Sequence, residues 1–131
     1  MIYIDSCVPM YLVGAEHPLK TRTLELVKSL IGGGEELTTS AEAFQEIIHR
    51  YRALDNQASL DFAYEALEEL SQQVFEVRKE DVDRARLYAT KHPKLSSRDC
   101  LHVAIMKRLG CSQVWTYDQG FDQIGWLERV C

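Results

Sequence analysis

Short apolar runs alternate with stretches of helical period from one end of this chain to the other, and that alternation restricts its fold more than any other feature. "MIYID" reads as a strand ending at Asp5, "ELTTS" as a second, "QVFEV" as a third and "QVWTYD" as a fourth. Between them, apolar residues recur three and four apart, the spacing of amphipathic helices. "VPMYLVG" predicts a short helix with Pro9 in its first turn, where a missing N–H costs nothing. "HPLKTRTLELVKSLIGGG" predicts a helix opened by Pro18, with Leu24, Val27 and Leu30 as its apolar face and Gly32 as its stop. "SAEAFQEIIHRYRAL" predicts another, N-capped by Ser40, with Ala41, Phe44, Ile47, Ile48 and Tyr51 on its stripe. "ASLDFAYEALEELS" and "KEDVDRARLYATKH" predict two more, the second closed by Pro93. "SSRDCLHVAIMKRLG" predicts a helix from about Ser97 to Leu109, ended by Gly110, and "FDQIGWLERV" a short tail element.

Strands that alternate with helices predict an α/β domain with a central parallel sheet covered by helices on both faces. A chain of 131 residues makes one such domain, spanning 1–131. No apolar run approaches the roughly 18 residues of a membrane span. The N-terminus lacks a basic region and turns polar at Asp5, so it reads as a strand and not a signal peptide. The triple glycine is a turn, because no GKS or GKT follows it.

The net charge of −5 argues against binding nucleic acid by bulk electrostatics, though not against a nuclease that meets phosphate through a cation. Cys7, Cys100, Cys111 and Cys131 form no CxxC and no zinc-finger spacing. They read as free thiols of a reducing cytosol, which sets the expected location as cytoplasmic.

In open parallel sheets, ligands bind at the carboxyl ends of the strands. Asp5 ends the first strand and Asp118 the last clear one, so both fall on that rim. Asp99 opens the helix before that last strand, and Glu42 and Glu46 lie in the first two turns of the helix after strand two. Each has an ordinary reading on its own. Asp99 fits a capping box with Ser96, and Asp118 fits a turn in "YDQG". Glu46 falls opposite Phe44 on a helical wheel, which predicts a solvated face. Together they demand more. Carboxylates about 5 Å apart repel by roughly 3 kcal/mol per pair at an effective dielectric of about 20, so a cluster needs a cation or protons. Hard oxygen ligands favour Mg²⁺ or Mn²⁺ over zinc, and such an ion suits phosphodiester hydrolysis by an activated water.

Four segments, "MIYIDSCVPMYL", "TTSAEAFQEIIHRY", "LSSRDCLHVAIMKRLG" and "VWTYDQGFD", in this order and at these intervals, resemble the PIN-domain family, in particular VapC-like toxins of bacterial toxin–antitoxin pairs. The resemblance implies a three-layer α/β/α sandwich whose acidic pocket binds Mg²⁺ or Mn²⁺ and cleaves RNA. It assigns the metal and catalytic roles to Asp5, Glu46, Asp99 and Asp118, with Glu42 as the alternate to Glu46 and Asp122 at the pocket's edge. Ser6 and Thr116 match small hydroxyl residues that line such sites. The resemblance, not the wheel, selects Glu46. It also implies a small cognate antitoxin as partner, and a homodimer or toxin–antitoxin hetero-oligomer, with "VPMYLV" a candidate interface segment. Arg98, Lys94 and Lys20 are candidates to meet RNA phosphates. His102 reads as a packed or hydrogen-bonded core residue. Position 7 departs from the family, which often has Asn, Ser or Thr there; Cys7 offers a poorer hydrogen bond and predicts sensitivity to oxidation.

Two other classes compete. An aspartate-nucleophile phosphatase needs D-x-D, and Cys7 stands in place of its second aspartate. A non-catalytic PIN-like metal- or RNA-binding module keeps the acidic rim without turnover, as does a receiver-like domain, but "VWTYD" lacks the lysine a receiver needs.

Overall fold

The computed structural model describes residues 1–131. Five short parallel strands form its single sheet: β1 (Ile2–Ile4), β2 (Leu37–Ser40), β3 (Gln73–Phe75), β4 (Gln113–Trp115) and β5 (Glu128–Arg129), in the spatial order β3-β2-β1-β4-β5. Six helices connect them: α1 (Cys7–Val13), α2 (Pro18–Gly32), α3 (Ala41–Ala53), α4 (Gln57–Leu70), α5 (Lys79–Lys91) and α6 (Ser97–Leu109). The chain winds outward from β1 through β2 to β3, then crosses back to lay β4 on the other side of β1. The strand order therefore reverses between β1 and β4, and their carboxyl ends are where sheets of this kind place ligands. No helix is long and apolar enough to cross a membrane.

The period of two along β1 builds the sandwich. Tyr3 faces one core with Val103, Ile105, Met106, Val114 and Phe121. Ile2 and Ile4 face the other core with Val8, Leu37, Phe44, Ile47, Leu67 and Trp115. Helix α6 is buried nearly all round, from Asp99 to Met106 with only Leu101 partly exposed, because it lies between the sheet and α5. The α5–α6 contact is fastened by Arg108, whose Nε and Nη2 donate to the two oxygens of buried Asp81 at 2.9 and 3.0 Å.

Four expectations change in detail. Leu24 is 46% exposed; α2 instead buries Thr23 and packs Leu26, Val27 and Leu30. Ala41 is exposed and Ala43 takes its place in the core. Ser40 precedes α3 at the capping position, but its hydroxyl makes no capping bond. The tail folds as a 3-10 turn (Gln119–Gln123) and then as β5, which pairs Glu128 with Gln113 and Arg129 with Val114.

Gly110 ends α6 at φ 67°, in the left-handed region, with open space where a Cβ would stand. A Gly110→Ala variant meets only backbone strain, so urea unfolding is expected to show a loss of about 1 kcal/mol. An unchanged midpoint would show that the helix end relaxes to another cap.

Candidate active site

Asp5 is the first residue beyond β1, and the fold fixes both its oxygens. The Ser6 backbone N–H donates to Oδ1 at 2.7 Å, and the Thr116 hydroxyl donates to Oδ2 at 2.7 Å. Thr116 is the first residue beyond β4, so adjacent strand ends hold one carboxylate between them. Thr116 Oγ1 also accepts from the Asp118 N–H at 3.1 Å. Asp118 in turn caps the 3-10 turn, with the Gly120 N–H donating to Oδ1 at 2.8 Å. The turn reading of Asp118 therefore describes one oxygen of a carboxylate that also borders the pocket. Ser6 acts through its backbone and Thr116 through its hydroxyl.

Asp99 enters from α6. Ser96 Oγ accepts from the Asp99 N–H at 3.1 Å, which is half of a capping box. The Asp99 carboxyl makes no bond back to Ser96; it lies close enough to Asp5 and Asp118 for both to act on it. Burial, then the charge of Asp5 and contact with Asp118, push Asp99 up to about 7. Burial also raises Asp5, against the opposing influence of His102 and the Thr116 hydroxyl.

Glu46 enters from α3, and here the helical wheel misleads. Its side chain is only 13% exposed and meets His102 Nε2. The α3 face opposite Phe44 looks across the strand ends at a buried imidazole, not at water. Atoms of Asp5, Glu46 and His102 lie within 4.8 Å of one another. His102 sits one turn after Asp99 on α6, fully buried, with Nε2 3.9 Å from Asp5 Oδ1 and Nδ1 2.6 Å from the Tyr3 hydroxyl. Burial favours its neutral form, but the bond and charge of Glu46, with Asp5 and Asp99, outweigh burial and raise it to about 9. His102 is thus the hydrogen-bonded interior residue the sequence suggests, and it also touches the acidic cluster. The i, i+3 spacing from Asp99 was its signal; Tyr3 carried none.

The remaining candidates separate. Glu42 is half-buried one turn before Glu46, raised mainly by burial and near enough to Arg98 to feel its charge. Arg98 makes no ion pair within the chain. Lys20 is tied to the α1–α2 connection, with Nζ donating to the Gly14 carbonyl at 2.9 Å. Asp122 is engaged by the tail: Arg129 grips both its oxygens at 2.7 and 3.0 Å, pinning β5 to the 3-10 turn. Cys7 Sγ lies 3.6 Å from Asp5 Oδ2. Burial, then the Asp5 charge, push the thiol far above its ordinary range. The thiolate is the form that oxidises, so the expected oxidation sensitivity finds no support here.

The donor set suits a hard divalent cation. Asp5 and Glu46 cluster with a single histidine, and Asp99, resisting ionisation through burial and then the charge of Asp5, adds a further oxygen ligand beside them.

This is a parallel α/β/α sandwich with an acidic cluster at the strand-order switch. Residues 2–127 match the PIN domain family model, and the chain belongs to the PIN-domain family. It is 38% identical over 130 residues to Ribonuclease VapC13 of Mycobacterium tuberculosis, covering 99% of both chains. Among solved structures it is similar to Mycobacterium tuberculosis VapC20, described as a sarcin-ricin loop cleaving toxin. That match has a TM-score of 0.76 and 20% identity, and covers 98% of each chain. A chain of a toxin–antitoxin complex from Klebsiella pneumoniae aligns at TM-score 0.68 and 11% identity, over 100% of this chain and 97% of that one.

Proposed function

We propose that this protein is a Mg²⁺- or Mn²⁺-dependent endoribonuclease and the toxin of a toxin–antitoxin pair. The observation that supports the reading is the cluster of Asp5, Glu46 and His102 beside the switch point of the sheet, with Asp99 close enough to Asp5 and Asp118 to feel their charges. The relation to a curated VapC ribonuclease supports RNA as the substrate. Asp5, Asp99, Asp118 and Glu46 would hold the cation. Bound there, a divalent ion supplies an acidified water and charge neutralisation at the scissile phosphate.

The chain's own groups prepare that site. Ser6 N–H and Thr116 orient Asp5, the Gly120 N–H orients Asp118, and His102 orients Glu46. Arg98 is the free cation beside the pocket and would meet a backbone phosphate of the RNA. The net charge of −5 repels RNA, so productive binding would depend on the metal and a few such local contacts. A small antitoxin would silence the enzyme, and the working assembly would be a homodimer or a toxin–antitoxin hetero-oligomer in the cytoplasm. The likeness to a chain of a toxin–antitoxin complex supports the partner.

The test is cleavage of a panel of RNAs by purified, partner-free protein. Cutting is expected with Mg²⁺ or Mn²⁺, to stop in EDTA and to resume when metal is restored. Cleavage that persists in EDTA, or none on any RNA with either metal, rejects the reading.

A further inference from the structure

Three buried polar side chains stand behind Glu46, from three different elements. Ser40 ends β2, Tyr3 lies in β1 and His102 in α6, and none is exposed. The Tyr3 hydroxyl is 2.6 Å from Ser40 Oγ and 2.6 Å from His102 Nδ1, and Nε2 of the same ring meets the Glu46 carboxylate. Ser40 occupies the capping position of α3 and gives up the capping bond to make this contact.

Proton counting sets the direction of the chain. Each hydroxyl has one proton to give. Ser40 Oγ has no hydrogen-bond partner but Tyr3, and no buried side-chain polar atom is left unpaired. If Ser40 accepted, its own proton would be buried without an acceptor, so it donates to Tyr3. With the ring neutral, Tyr3, having accepted, donates to Nδ1. A neutral imidazole that accepts at Nδ1 carries its proton on Nε2, and that N–H points at Glu46. When the ring takes a second proton, Nδ1 becomes the donor and Tyr3 the acceptor, while the Nε2–H bond to Glu46 is the same in both forms. The opposite tautomer would set a lone pair against a carboxylate and drive Glu46 away.

We infer that Ser40 and Tyr3 are positioning residues that fix the His102 ring and, through it, aim Glu46 at the cation site. The hydrogen bond takes Glu46 Oε1 and leaves Oε2 for the metal. The same logic governs metal sites in which outer hydrogen bonds orient the ligands. This inference rests on the divalent-cation reading above.

The test reads Mn²⁺ binding by calorimetry without RNA, in wild type, Tyr3→Phe, Glu46→Gln and the double variant. Tyr3→Phe is expected to weaken Mn²⁺ binding about tenfold, with cooperative melting retained. Added to Glu46→Gln it is expected to change nothing more, because it acts only through Glu46. Unchanged affinity in Tyr3→Phe, or a further loss of about the same size in the double variant, overturns the inference while the cation site stands. Wild type that binds no Mn²⁺ overturns the cation reading itself, and this inference with it. The ¹⁵N spectrum of His102 provides a readout that needs no folded variant: a proton on Nε2 is expected in either charge state, and a ring protonated on Nδ1 alone refutes the relay.

Discussion

Asp5→Asn is expected to abolish RNA cleavage, by at least about 100-fold, in a protein that stays folded. Even outer partners of metal ligands cost up to about 100-fold when removed, and Asp5 is the proposed ligand that two strand ends hold in place. An asparagine oxygen can still accept from the Ser6 N–H, and its amide can donate to Thr116, so the local hydrogen bonds survive. The same substitution removes the charge that, after burial, does most to raise Asp99. Asp99 is therefore expected to titrate closer to the ordinary carboxylate range in this variant. The paired measurements are cleavage rate and thermal melting across pH. Full activity in a folded Asp5→Asn protein would remove this carboxylate from the mechanism.

The second large effect concerns stability without metal. Asp99 is raised to about 7, so the folded state holds that proton more tightly than the unfolded chain. Its stabilising contribution is complete below the unfolded carboxylate value and is lost as pH rises through about 7. His102 is raised to about 9, so its contribution is complete below the ordinary histidine value and lost as pH rises through about 9. Asp5 is raised and acts in the same direction as Asp99. Metal-free protein is therefore expected to melt at least about 5 °C lower near pH 9 than near pH 5, since each kcal/mol moves a chain of this size by about 4 °C. Saturating Mg²⁺ is expected to flatten the profile, because a bound cation favours the ionised carboxylates that alkaline pH produces. A melting temperature that holds or rises from pH 5 to pH 9 without metal contradicts the crowded-carboxylate account.

Much of this arrangement can be read from local chemistry. An apolar run that stops at Asp5 has one place to put that carboxylate in a parallel sheet, and Ser96 and Gly110 bracket α6 as expected. Alternating elements gave the layers and the rim. Helical periodicity failed where the protein interior is polar. A wheel sorts residues between water and oil, and it has no category for Glu46 facing a buried histidine. It failed again at α2, where Thr23 is buried because its hydroxyl reaches the Leu19 carbonyl at 2.5 Å and Tyr117 at 2.6 Å, while Leu24 faces out. The two-residue β5, made of Glu128 and Arg129, has too little apolar pattern to announce a strand. Asp122, assigned to the pocket by resemblance, answers to Arg129 in that same tail. Tyr3 and Ser40 look like ordinary strand residues until three distant elements bring their hydroxyls together.

The central claim is that these four carboxylates hold one catalytic cation site. The most direct measurement is anomalous scattering from a crystal soaked in Mn²⁺, collected on wild type and on Asp5→Asn. The account predicts a peak within bonding distance of Asp5 and Asp99, bordered by Glu46 and Asp118, that vanishes or weakens sharply in the variant. No peak at saturating Mn²⁺, or a peak away from Asp5 and Asp99 that the variant retains, would contradict it.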